Sequence, residues 1–255
     1  MGIVAVAGDV CTTTAVALAA AWPVSHDAII VEADPTGGDL AAWFDLPVAP
    51  SLSTVVTRVL DGAWPDVERL TRLADAGLRL IPAPSRAGEA AQAVAEASRS
   101  LVPTLAALRS PITIADTGRL QGSPAAHPFV GSAAVTIAVH RQSSQSSRAA
   151  AVRLQRFADQ LEAFAATPSS LIVAVVGATP FDFGEIEKFL GDSIAHHSIV
   201  GLPVDDLAAA VFGGRTGVSA RRLARLPLVK AAGDLALAAD RSLVEVTGGL
   251  WRAAR

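Results

Sequence analysis

Seven short apolar runs separated by stretches of helical spacing constrain this chain more than any other feature. They are Ile3 to Ala7, Ala28 to Ala33, Leu78 to Pro82, Ile112 to Asp116, Ala134 to Val139, Leu171 to Val176 and Ser198 to Val200. Each is brief and apolar on both faces, which suits a strand covered on both sides rather than one with a wetted face. Between most of them lie segments whose apolar residues recur at helical intervals. The alternation predicts a mostly parallel sheet with helices on both faces.

The helical segments carry readable ends. Ala87 to Leu108 is rich in Ala and Glu and is expected to be one helix. Ser144 to Ala166 follows serines able to cap it, and Asp182 with Glu185 forms a D-x-x-E capping box opening Phe183 to Leu190. Further helices are expected over Asp206 to Phe212 and Ser219 to Ala239. Near the end, Gly248-Gly249 is expected to interrupt a tail helix and leave its apolar face too short for membrane targeting. No internal repeat occurs, and Pro82 to Ala87 and Gly118 to Pro128 read as loops, so residues 1–255 are taken as a single domain.

Bulk properties narrow the function. With 255 residues, 51% of them hydrophobic, the chain can bury a large core. A formal charge of −3 excludes a protein that is basic overall. Nonspecific DNA contact would have to come from a local group such as Arg215, Arg221, Arg222 and Arg225. Cys11 is the one cysteine, which rules out an intramolecular disulfide and a cysteine-rich metal site, and fits a reducing, cytoplasmic setting. Thr14 to Pro23 is apolar, but no Lys or Arg precedes Arg58 and the segment is too short to cross a bilayer, so no integral membrane segment is expected. His26, His127, His140, His196 and His197 show no metal-ligand spacing.

In open parallel sheets, ligands bind beyond the carboxyl ends of the strands. Three such ends carry suggestive residues. The first is Gly8-Asp9-Val10-Cys11-Thr12-Thr13-Thr14, leading into an alanine-rich helix. The second is Val31-Glu32-Ala33-Asp34-Pro35-Thr36-Gly37-Gly38-Asp39-Leu40, and the third is Ile112-Thr113-Ile114-Ala115-Asp116-Thr117-Gly118. Late in the chain, Gly201-Leu202-Pro203-Val204-Asp205-Asp206 forms a proline-aspartate turn.

Taken together these segments resemble the P-loop NTPase fold of the ParA/MinD family, with its deviant Walker A loop, its switch segment and its Walker B strand. The resemblance implies ATP and Mg as ligands. Gly8, Cys11, Thr12 and Thr13 would lie at the phosphates, with Cys11 on the lysine position, and Pro203 would approach the adenine. Thr12, Glu32 and Asp116 would attend the metal, and Asp34 would orient the attacking water. A homodimer across the nucleotide face is also implied.

The loop departs from the family pattern. Only Asp9 and Val10 stand where the family carries a longer glycine run, a shortfall of roughly four residues. The chain's two lysines, Lys188 and Lys230, lie far downstream. Arg119 and Arg141, each at a strand end, are the available substitute cations. A phosphate cradle needs inward amides and a cation, and Asp9 instead brings a carboxylate. An alanine-rich helix ending in Trp22-Pro23, followed by Glu32-Ala33-Asp34-Pro35 and Gly37-Gly38-Asp39-Leu40, resembles a degenerate, actinobacterial-type branch with atypical Walker A loops, similar to TadZ-like localisation proteins. It implies a non-hydrolysing or weakly nucleotide-binding scaffold with a protein partner in a Tad-type pilus, secretion or partitioning system. The alternative is an active ATP-dependent dimeric switch ATPase of the chromosome-partitioning type.

Overall fold

The computed structural model describes residues 2–23, 27–59, 64–74, 77–108, 110–119, 124–142, 146–167, 169–191, 198–217 and 219–253. Every apolar run singled out above forms a strand. They are β1 (Ile3–Gly8), β2 (Ala28–Glu32), β4 (Arg79–Ile81), β5 (Ile112–Asp116), β6 (Val135–Arg141), β7 (Ser170–Val176) and β8 (Ser198–Leu202). A two-residue strand, β3 (Arg72–Leu73), was not foreseen; it is too short to show a pattern and is held by pairing antiparallel to β4. The sheet order is β3-β4-β2-β5-β1-β6-β7-β8, and every other pairing is parallel.

The helices are α1 (Cys11–Ala21), α2 (Leu40–Trp43), α3 (Leu52–Val59), α4 (Trp64–Leu70), α5 (Ala87–Ala97), α6 (Leu101–Ala107), α7 (Pro128–Gly131), α8 (Ser147–Ala165), α9 (Phe183–Gly191), α10 (Asp206–Phe212), α11 (Ala220–Leu223) and α12 (Pro227–Ala253). Strand alternation sorts the core into two layers. Val4 and Val6, Ile137 and Val139, and Ile172 and Ala174 face a cluster with Leu18, Phe212, Leu235 and Ala239. Ile3, Ala5 and Ala7, Ala138, and Val173 and Val175 face the opposite cluster with Leu52, Leu105, Phe129 and Leu161. Both faces of the sheet are thus covered, as the two-sided apolar runs require.

Two expected helices are each divided, and proline explains both. A continuous helix over Ala87 to Leu108 would drive the Pro103 ring into the carbonyl of the preceding turn. Instead the chain breaks over Ser98 to Ser100, so that Pro103 falls in the first turn of α6, where its missing N–H costs nothing. In the same way Pro227 opens α12 rather than lying inside a helix from Ser219. A third expectation is also corrected. Gly248-Gly249 does not end the last helix, which runs on to Ala253. Glycine lowers helix stability without forbidding helical dihedrals, and α12 is anchored upstream by buried Leu235, Ala236, Ala239 and Leu243. Among the described residues no helix is long and apolar enough to cross a membrane.

The caps read from sequence form. Asp182 N–H donates to Glu185 Oε2 at 2.9 Å and Glu185 N–H to Asp182 Oδ1 at 2.8 Å. Ser146 Oγ accepts from Ala149 N–H at the start of α8; the earlier part of the expected helix, at 144–145, lies outside the described residues. Asp205 caps two helices at once, accepting from Ala208 N–H at 2.9 Å and from Leu228 N–H at 3.1 Å, and so ties the end of β8 to α10 and α12.

Because α12 covers the β6-β7-β8 half through fully buried side chains, Leu235→Ala is expected to cost about 2–5 kcal/mol. Urea denaturation should show this as a lower midpoint at unchanged slope; a loss under about 0.5 kcal/mol would mean that α12 is not part of the cooperative core.

Candidate functional site

Strand β1 lies between β5 and β6, so the crevice of this sheet opens where Gly8, Asp116 to Arg119 and Val139 to Arg141 converge. Gly8 has φ 114°, and a Cβ there would collide with the Val139 carbonyl oxygen, so the turn depends on glycine. Asp9 and Val10 alone connect β1 to α1. Asp9 N–H donates to Val139 O at 2.9 Å, and Val10 is left-handed with φ 47°. The chain is thereby pinned to β6 as it enters the helix. Thr14 closes the first turn, donating from both N–H and Oγ1 to Val10 O at 3.0 Å.

The Asp9 carboxylate points along the strand ends. Its Oδ1 lies 3.4 Å from Arg119 Nη2, its Oδ2 accepts from Arg141 N–H at 3.3 Å, and His140 Nδ1 stands 3.9 Å from Oδ2. His140 is buried and stacks on Phe157 with ring centroids 4.9 Å apart; burial holds its pKa below the ordinary value. Beside this turn is an open cleft of about 1070 Å³ lined by Asp9, Arg119, Arg141, Arg153, Phe183 and Pro203, among others. Gln142 shapes its floor, donating from Nε2 to Gly177 O and Phe181 O at 2.9 Å and accepting from Phe181 N–H at 3.1 Å.

The three acidic positions have different surroundings. Glu32 is 2% exposed, and both of its carboxylate oxygens meet backbone donors. Oε1 accepts from Asp39 N–H at 2.7 Å and Leu40 N–H at 3.0 Å, and Oε2 from Ala83 N–H at 2.8 Å. Glu32 thus holds the start of α2 and the end of β4 against β2. Asp34 sits in a tight turn, its Oδ1 accepting from Thr36 N–H and Thr36 Oγ1, both at 2.7 Å. Its carboxylate packs so closely on Gly118, at φ 69°, that a Cβ there would collide with it. His127 Nε2 donates to Ala33 O at 3.0 Å and steadies the backbone just ahead of Asp34. Asp116 is fully buried beside Glu32 in the β2-β5 register. Its Oδ1 accepts from Gly118 N–H at 3.3 Å, while Oδ2 lacks a hydrogen-bond partner among the described residues.

Electrostatics follow from that burial. Desolvation pushes the Glu32 carboxyl up to about 7, against the pull of the three N–H donors. It pushes the Asp116 carboxyl up to about 6, against the nearby Thr12 hydroxyl and Cys11 thiol, which favour the charged form. Cys11 is buried at the start of α1, and desolvation together with the Asp116 charge drives its thiol far above the usual range. A thiol held neutral there supplies no cation and no nucleophile.

The fold therefore brings Gly8, Cys11, Thr12, Thr13, Asp34, Asp116, Arg119 and Arg141 to one sheet edge, with Pro203 across the cleft. Arg215, Arg221, Arg222 and Arg225 are exposed but do not line that cleft. Among the described residues no cluster of His, Cys, Asp and Glu is suited to a metal; His26, His196 and His197 lie outside them. Sequence reasoning missed Arg153, Gln142 and His127. Arg153, Arg156 and Gln160 share a face of α8 at helical spacing, a signal that acquires meaning only once α8 is known to lie beside β6.

No protein-family model matches the chain, and no curated protein matches it either. Solved structures do resemble it. A ParA family ATPase from Chlorobium tepidum TLS is 18% identical with a TM-score of 0.68, over 92% of this chain and 97% of that one. MinD in the MinC:MinD cell division complex of Aquifex aeolicus is 15% identical with a TM-score of 0.62, over 94% and 95%. Cobyrinic acid a,c-diamide synthase from Mycobacterium smegmatis, solved with an ATP analog and magnesium, is 18% identical with a TM-score of 0.53, over 100% and 97%. At these identities what is shared is the fold, that of the ParA/MinD-type P-loop NTPases.

Asp116 binds its proton more tightly in the folded protein than in the unfolded chain, so its contribution is full below its ordinary value of 3.8 and is lost as pH rises through about 6. Relative to wild type, Asp116→Asn should gain on the order of 2–3 kcal/mol between about pH 4 and pH 7. Urea midpoints measured across that window check this; a wild-type-to-variant difference that stays constant, or moves the other way, contradicts it.

Proposed function

We propose that this protein is a ParA/MinD-fold scaffold that binds nucleotide weakly or not at all, does not hydrolyse it, and acts by recognising a protein partner. One observation carries the reading: the β1-α1 connection is a two-residue turn, with Asp9 pinned to β6 and its carboxylate directed at the crevice. A magnesium triphosphate does not fit this arrangement. It would need several inward amides and a nearby lysine, whereas this turn offers two residues, one of them anionic, and the lysines are at 188 and 230.

The metal side argues the same way. Glu32 spends both oxygens on backbone N–H groups, and Cys11 holds the lysine position as a buried, neutral thiol. The competing reading, an ATP-dependent switch ATPase, draws on Thr12, Asp34 and Asp116, whose surviving proximity would suit metal and water chemistry. Without the loop lysine and the ring of amides, the family's main source of transition-state stabilisation is missing. A Tad-type pilus, secretion or partitioning setting, a homodimer and DNA contact through Arg215, Arg221, Arg222 and Arg225 belong to this reading through the family resemblance alone.

Calorimetric titration with ATP and Mg²⁺, paired with a phosphate-release assay, tests the proposal. Expected is no binding at micromolar ATP and no release above the protein-free rate. Micromolar binding accompanied by hydrolysis that Asp34→Ala abolishes would establish the ATPase instead.

A further inference from the structure

Two spaces beside Asp9 carry an excess of cationic side chains. The large cleft is lined by Arg119, Arg141 and Arg153. A second space of about 290 Å³, which shares Asp9 with the first, is lined by Arg119, Arg153 and Arg156 with His140. Among the described residues lining either space, Asp9 is the one acidic side chain. Four arginines from the end of β5, the end of β6 and one face of α8 thus line spaces that hold a single carboxylate, which contacts the Arg119 guanidinium and the Arg141 N–H.

That carboxylate is not tightly locked. Its contacts are 3.3 to 3.9 Å long, and the Asp9 and Arg119 side chains are 38% and 77% exposed. An ion pair so placed contributes little to stability and can be exchanged for a better anion. A guanidinium offers a planar fork of donors suited to phosphate oxygens, and needs neither a lysine nor a metal to bind them.

From this geometry we infer that Asp9 is an internal anion plugging a metal-independent phosphoryl-binding site formed by Arg119, Arg141, Arg153 and Arg156. The inference deepens the functional reading above and rests on it, because it names what excludes nucleotide from the crevice. The ligand class is a phosphate-type oxyanion, either free or as the end of a nucleotide, and exposed Phe183 and Val204 on the far wall offer an apolar surface to a base.

The test compares wild type with Asp9→Asn and Asp9→Ala, titrated with pyrophosphate and with ADP in EDTA. Both variants should bind pyrophosphate about tenfold or more tightly than wild type, and Arg153→Gln on the Asp9→Asn background should erase the gain. An equal gain for both ligands identifies a phosphoryl site alone, and a larger gain for ADP adds the apolar wall. Folded variants with no gain, or a gain that survives Arg153→Gln, overturn the inference. So does the unfolding of both variants, since Asp9 would then be a structural keystone rather than a plug. Failure of this inference differs from failure of the functional reading: the latter would appear as tight ATP binding and hydrolysis by wild type with Mg²⁺, whatever the variants do in EDTA.

Discussion

The crevice of this protein is organised by the way the chain leaves β1. Gly8, in a conformation that only glycine adopts easily, lets Asp9 N–H reach the Val139 carbonyl, and Val10 turns at once into α1. A two-residue connection pinned to β6 cannot also form a ring of amides around phosphates. It sets the start of α1, which fixes where Cys11 and Thr12 stand relative to Asp116. It also places the Asp9 carboxylate against Arg119 and the Arg141 amide. The remaining features of the edge are arranged around that turn.

Burial then determines what the surviving acidic residues can do. Glu32 keeps a position that resembles a metal-site residue, yet its oxygens serve the backbone of α2 and of the β4 end. Asp116 keeps its strand-end position but is fully buried with one oxygen unpartnered, so its charged form is costly. Asp34, by contrast, is held in a local turn by Thr36 and supported from behind by Gly118 and His127. Acidic side chains at neighbouring strand ends thus brace the backbone at Glu32 and Asp34, while Asp116 stands buried with one oxygen unpartnered.

The sheet was legible because its strands are apolar on both faces, and only a covered parallel sheet satisfies that pattern. Capping at Asp182 and Glu185 was legible because it is a local rule. The divided helices show the limit of reading composition: Ala and Glu content suggested continuity through Pro103, while the sterics of one ring decided otherwise. At the crevice, sequence located Gly8, Asp34, Asp116, Arg119 and Arg141 because each ends or closely follows a strand. It did not reveal Arg153, Gln142 or His127, whose proximity depends on how α8 and the loops after β5 and β6 pack. Nor could it show that Glu32 is spent on N–H groups as far away in sequence as Ala83.

The central claim is that the β1-α1 turn is closed to phosphates. Amide hydrogen exchange across residues 9–13, measured with and without saturating ATP and Mg²⁺, addresses it most directly. Unchanged exchange rates are predicted, because no amide in that turn takes up a phosphate oxygen. Slowing by about tenfold or more at these amides would contradict the account, since it would mean that the turn opens into a working phosphate cradle.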